Sequence, residues 1–248
     1  MLAGYLVYDY LYAADTAPQA APVVEEEAEV ITNIRPNVET PFNRTLDEPQ
    51  IESDAFVDPD AVVIGNVLLS SEVFVAPGAN IRGDEGGPFY IGAQTTVQGG
   101  AVIHALYTFR RGKLVEEHLV TVEGERFAVH IGKEVPISYG AQVHGPVVVG
   151  EETHVGLNAV VFDAKIGKGV SIEPGAIVMS VIVPDNVVVP ARTVVATQAD
   201  ADALKAVPEE YHYGDLVERE VEISEGLAGA YRSAASSASS SSSHDDGH

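Results

Sequence analysis

His104 and His144 are the residues of this chain whose type and spacing best suit metal chemistry. Neutral imidazole is a common ligand of divalent metals. Each follows directly on an aliphatic residue, Ile103 and Val143, as Arg82 follows Ile81. Those aliphatic residues belong to a six-residue period. Val57, Val63, Leu69, Val75 and Ile81 form one run, and Ile91, Val97 and Ile103 a second. Ile131, Ile137, Val143, Val149, Val155 and Val161 form a third, and Ile166, Ile172, Val178, Val183, Val189 and Val195 continue after a slip. A hexad period is the signature of a parallel β-helix. Three hexads make one triangular coil, so equivalent residues of successive coils stack at the strand spacing of roughly 4.8 Å. Arg82, His104 and His144 are therefore expected on one face, pointing outward. Two imidazoles one coil apart are within range of a shared metal.

The elements that must position them follow from the same period. The expected fold is mainly β, a parallel β-helix over 57–197, with an extended arm at 31–56 carrying Pro36, Pro41 and Pro49. Two insertions break the helix: one at 87–90, the other a longer excursion at 109–128 with a hairpin turn at Glu123-Gly124-Glu125. Beyond Thr197 the period changes. Ala199 to Ala206 reads as a short helix ending before Pro208, and a longer helix carrying Leu216, Val221, Leu227 and Tyr231 packs along the β-helix. Domain organisation is then a leader and acidic linker at 1–30, the arm and β-helix at 31–198, terminal helices at 199–232 and a disordered Ser-rich tail at 233–248. A triangular prism presents flat faces with a fixed repeat and suits a three-fold axis, so a homotrimer is expected.

Composition narrows the partners. Cysteine is absent, which removes disulfides and thiolate metal sites. Asp and Glu number 37 against 14 Lys and Arg, a formal net charge of -23. Such a chain repels nucleic acid and anionic membrane surfaces. Met1 to Ala14 is apolar and Tyr-rich, but Asp9 interrupts it and no basic region precedes it. It is too short for an integral membrane span and reads either as the remnant of a secretion or anchoring segment or as a disordered leader.

The segments Ile81-Arg-Gly-Asp-Glu-Gly86, Val97-Gln-Gly-Gly-Ala-Val-Ile-His104 and Gln142-Val-His-Gly-Pro146, in this order and at these separations, resemble the γ-class carbonic anhydrases. Asn33-Ile-Arg-Pro-Asn37 and Gln198-Ala-Asp-Ala-Asp202 extend the resemblance to roughly residues 30–232. It implies a homotrimer of left-handed β-helices, with zinc or iron(II) between subunits and CO2 and bicarbonate as substrates. Two metal histidines come from one subunit and the third from its neighbour. By resemblance His104 and His144 are the same-subunit pair, Glu85 lies beside the bound water or bicarbonate, Gln98 hydrogen-bonds that water, and Arg82 and Asp84 form an ion pair between subunits.

Several positions depart from the family pattern. The third metal histidine, five residues before the second, is Tyr139 here; the shuttle glutamate three residues after the first is Tyr107; and the acidic residue after the glutamine is Gly99. A phenolate can ligate a metal, but an ordinary pKa near 10 makes it costly at neutral pH. His118, His130 and His154 are the other imidazoles near the pattern, and Glu116, Glu117, Glu123 and Glu125 are the excursion acids that can replace the shuttle. On the terminal helix, the family's CO2-pocket residues align with Glu222 and Ser224. Three readings follow: a slow carbonic anhydrase, an impaired trimeric scaffold or bicarbonate-binding homologue, and a hexapeptide acyltransferase with a histidine base. The acidic excess also predicts adaptation to high salt, where counterions screen self-repulsion. The melting temperature is expected to rise from low to multimolar KCl, and a melting temperature indifferent to salt would contradict this.

Overall fold

The computed structural model describes residues 32–241, with side chains to 234. The apolar leader, the acidic linker up to residue 30 and the last part of the Ser-rich tail lie outside the described residues. The rest is a parallel β-solenoid with three faces. Sheet A runs through Ile34–Arg35, Val62–Gly65, Asn80–Gly83, Val102–Ala105, Gln142–Gly145, Val160–Phe162, Ile177–Met179 and Val194–Val195. Sheet B starts at Gln50–Ile51 and ends at Ile182–Val183; the parallel strands of sheet C run from Phe56–Val57 to Val187–Val189.

The hexad residues are the inner row of each sheet. Val63, Ile81, Ile103, Val143 and Val161 are register partners up sheet A. Leu69, Ile91, Ile131 and Val149 do the same in sheet B. All nine are essentially inaccessible to solvent. Alternation along a strand then forces their neighbours outward. Ile64, Arg82, His104, His144, Phe162 and Met179 therefore form one outward row of sheet A.

The first insertion is shifted from 87–90 to 84–88, because Phe89 and Tyr90 are already strand in sheet B, paired with Val67 and Leu68. Both insertions fall between strands, so register survives them. The excursion carries two short antiparallel ribbons, Phe109–Arg110 with Lys113–Leu114 and Val120–Val122 with Glu125–Phe127. Glu123 and Gly124 both take positive φ, 51° and 89°, the left-handed pair that a two-residue hairpin turn needs.

Three further segments differ from the sequence expectation. The arm is not wholly outside the repeat: Ile34–Arg35 pairs with Val63 and Ile64, and Gln50–Ile51 with Leu68 and Leu69. The open edge of the first regular coil takes up any extended segment that reaches it. At the other end, α1 (Gln198–Asp202) is shorter than expected. It is closed by a capping box between Thr197 and Asp200, and its buried Ala201 plugs the last coil. Lys205–Ala206 is strand rather than helix, pairing antiparallel with Val187 and Val188 on the exposed edge of sheet C. Finally, α2 (Leu216–Ser241) packs on sheet C and continues past residue 233 into the expected disordered tail. Alanines spaced among the serines keep helix propensity high enough to propagate from the packed part.

The solenoid stands on its inner row. Ile103→Ala is expected to cost about 2–5 kcal/mol, since a fully enclosed side chain leaves a cavity the flanking coils cannot close. Chemical denaturation measures this, and a loss under about 1 kcal/mol would show that the coil relaxes around the site.

Candidate metal centre

His104 and His144 lie on adjacent strands as direct register partners. Their ring centroids are 5.3 Å apart and their planes nearly perpendicular, at 78°. Phe162, the next residue in the row, packs its ring 4.9 Å from that of His144. His144 Nδ1 lies 2.8 Å from the carbonyl oxygen of Gly145. A carbonyl only accepts, so Nδ1 carries the hydrogen, and in the neutral ring the lone pair is on Nε2. Gly145 is required there, because a Cβ would fall 2.2 Å from the Ala128 carbonyl oxygen.

His104 Nε2 is enclosed and makes no hydrogen bond. It lies 3.3 Å from Glu85 Oε1, a distance without hydrogen-bond alignment. Burial pushes the His104 pKa below the usual imidazole value; Glu85 and Asp84 oppose this, whereas Arg82 and His144 reinforce it. The neutral form, which binds metals, is thus favoured. Arg82 holds Asp84 within the same chain, with Nη2 2.8 Å and Nε 3.2 Å from Oδ2. Asp84 Oδ1 is buried without a partner. The arm covers this segment, its Asn43 Nδ2 donating to the Asp84 carbonyl.

Tyr139 and Gln98 sit elsewhere. Both occupy the corner between sheets C and A, where Gln98 N donates to the Ile137 carbonyl and Gly140 N to the Gly99 carbonyl. Gln98 Nε2 reaches Glu220 of α2 at 3.3 Å. Tyr139 is 59% exposed. His144 is the third residue of the strand that starts after this corner, and each strand residue adds about 3.3 Å. One protomer therefore separates Tyr139 from the histidine pair. Among the described residues no three His, Asp or Glu side chains converge as a metal site.

Two of the family departures are spatially one. The Tyr139 ring lies over Gly99, where a Cβ would be 3.5 Å from Tyr139 Cε1 and 2.8 Å from the Pro77 carbonyl oxygen. Among the described residues, no other imidazole shares the row of His104 and His144. His130 stacks on Tyr90 in sheet B, His154 is buried in sheet C with Nε2 3.0 Å from Ser138 Oγ, and His118 rests on Tyr107. On α2, Glu222 is exposed and Ser224 buried against the solenoid. Sequence spacing alone gave no sign of the contacts between Tyr139 and Gly99 or between Tyr107 and His118, which arise only when the coils stack.

No protein-family model matches the chain. A carbonic anhydrase of Methanosarcina thermophila is 41% identical over 202 residues, covering 81% of this chain and 82% of that protein. The chain belongs to the γ-class carbonic anhydrase family. Within this family context, the carboxysome assembly protein CcmM of a Nostoc strain is 35% identical over 198 residues, though the chain spans only 34% of that protein. The carnitine operon protein CaiE of Salmonella agona is 36% identical over 121 residues, 48% of this chain and 51% of that protein. A solved hexapeptide transferase family protein of Anaplasma phagocytophilum matches at TM-score 0.55 and 20% identity, covering 75% of this chain and 93% of that one, a likeness of fold alone.

Outside the histidine pair, His154 gives a pH prediction. Burial pushes its pKa down to about 4, against Glu173. Between the unfolded value near 6.5 and about 4, the unfolded chain binds a proton that the folded one refuses. Stability is therefore full above that window and falls as pH drops through it, by on the order of 3 kcal/mol. Denaturation of His154→Gln across the window is expected to show a flatter pH dependence than the parent. Equal slopes would contradict the assignment.

Proposed function

We propose that the chain is a γ-type carbonic anhydrase that binds zinc or iron(II) and acts as a homotrimer, hydrating CO2 reversibly to bicarbonate. The observation that carries this reading is the register pairing of His104 with His144, with burial favouring neutral His104 and the His144 Nδ1 hydrogen directed at a carbonyl. The donor set fits two of the three protein ligands a catalytic zinc uses. The third place falls to Tyr139 or to a water molecule, and Tyr139 reaches the pair only from a second copy. Gln98 shares the Tyr139 corner, so the copy that delivers one delivers the other.

Sheet A is the face suited to that assembly. Its outward rows carry Ile64, Phe162, Met179, Val102, Val160, Ile177 and Val194 around the histidines, with Met179 and Val194 exposed. Sheet C is covered by α2. An uncovered apolar face of this kind favours association.

A divalent metal at this site lowers the pKa of water toward 7 and so supplies a nucleophile at neutral pH. The protein's part is to place the reactants. Glu85, beside His104, accepts a hydrogen bond from the attacking water and orients it toward CO2. Gln98 donates to the same water from the neighbouring copy. Arg82 and Asp84 hold the loop that carries Glu85. In the net reaction, water adds to the CO2 carbon, one proton leaves and bicarbonate departs.

A second reading, a trimeric scaffold or bicarbonate-binding homologue with impaired catalysis, is favoured by one observation: Tyr139 stands where the family has its third histidine. The likeness to a carboxysome assembly protein, of which the chain spans 34%, also supports this reading. Metal analysis of protein purified anaerobically without a His-tag, together with CO2 hydration, separates the two. The enzyme reading predicts near three metals per trimer and measurable hydration, with at least about a tenfold loss of metal affinity in His144→Ala. Metal-free, inactive protein would establish the scaffold reading.

A further inference from the structure

We propose that His118 performs the proton transfer for which Tyr107 is unsuited, taking up the proton released by CO2 hydration and handing it to buffer. The inference rests on the carbonic anhydrase reading and names a residue of that same site. Each turnover consumes CO2 and water and yields bicarbonate and one proton. That proton needs a nearby group that exchanges near neutral pH, as imidazole does and phenol does not.

The geometry points to His118. The strand Val102–Ala105 carries His104 and ends two residues before Tyr107. The chain then leaves through the Phe109–Arg110 and Lys113–Leu114 ribbon and comes back in a single 3-10 turn, Glu116–His118. That turn sets His118 Nδ1 2.7 Å from the Tyr107 carbonyl oxygen, with the two rings 5.0 Å apart and nearly perpendicular. Because a carbonyl only accepts, Nδ1 carries the hydrogen. In the neutral ring Nε2 is then the nitrogen with the lone pair, the one that can accept a proton. The residue is half-buried, so it meets both the protein and solvent.

Thr108 ties this turn to the metal side. Val115 N donates to the Thr108 carbonyl at 2.9 Å, and His118 N donates to the Val115 carbonyl at 3.0 Å. On its other flank, buried Thr108 donates from Oγ1 to the Gly87 carbonyl. Gly86 approaches so closely that a Cβ would lie 2.2 Å from Thr108 Oγ1. Gly86 follows Glu85, which is 3.3 Å from His104 Nε2. The turn that carries His118 and the loop that carries Glu85 are thus both anchored on Thr108.

The excursion acids are less suited. Glu116 is engaged by Arg126 at 2.7 Å. Glu123 and Glu125 belong to the hairpin that overhangs His130 on sheet B. Glu117 lines the groove shared with Asp163 and Ser180.

The test uses the full-length, metal-loaded protein and stopped-flow CO2 hydration in dilute non-imidazole buffer. His118→Gln keeps an N–H donor for the Tyr107 carbonyl but cannot carry the proton. Its kcat is expected to fall about tenfold or more, with kcat/KM for CO2 unchanged and kcat restored by added imidazole. His118→Ala is expected to show the same loss and the same rescue. Unchanged kcat in both variants would overturn the proposal. So would an equal fall in kcat and kcat/KM without imidazole rescue, the pattern of a structural role. Metal-loaded parent protein without hydration activity would overturn the carbonic anhydrase reading itself, and this inference with it.

Discussion

Everything at the candidate centre depends on the in-register parallel ladder of sheet A. Strand spacing fixes how far apart side chains of neighbouring coils lie, and side-chain alternation fixes which way they point. Residues forty positions apart in the chain, His104 and His144, become nearest neighbours without any local sequence relation between them. The excursion between them does not disturb this, because it leaves and rejoins at corners. The same rigidity has a cost. A residue on the corner before a strand cannot reach a partner in the middle of it, so Tyr139 and Gln98 are excluded from the pair within one protomer. The fold places the histidine pair on a face and Tyr139 with Gln98 on a corner; in the proposed site, association of copies joins them.

Electrostatics follows from that layout. Outside the site, the chain is covered with carboxylates and carries a formal charge of -23. At the ladder the charges are arranged differently. Arg82 and Asp84 neutralise each other, and Glu85 is the carboxylate brought to His104. Burial outweighs that carboxylate and keeps His104 neutral. An imidazole that stays neutral and a second whose Nδ1 hydrogen is engaged by a carbonyl are both prepared to donate through Nε2.

The sequence was legible wherever a period dictated the outcome. The hexad phase marked the inner row, and one step beyond it marked the outward row that carries Arg82, His104 and His144. The Glu123-Gly124 turn was readable because few residue pairs accept two positive φ values. Pairings without a period were not readable. Ile34–Arg35 and Lys205–Ala206 are two-residue strands recruited by open sheet edges, and nothing in their own sequence requires extension. The continuation of α2 to Ser241 depends on a helix already nucleated by packing, which composition alone does not reveal. The coupling of Tyr139 to Gly99 and of His118 to Tyr107 was hidden for a further reason. Tyr139 and Gly99 share the forty-residue offset of the histidine pair but lie on a corner, where the period fixes no side-chain direction, and His118 meets Tyr107 across an insertion, which fixes no offset.

The central claim is that a metal sits between the His104–His144 pair of one copy and the Tyr139 corner of another. Anomalous diffraction from crystals grown with zinc or iron(II) tests it most directly. The account predicts one anomalous peak per protomer at an interface between copies, bonded to Nε2 of both histidines, with Tyr139 of the adjoining copy or a water completing the set. A peak bonded to other residues, or crystals in which sheet A meets no second copy, would contradict it.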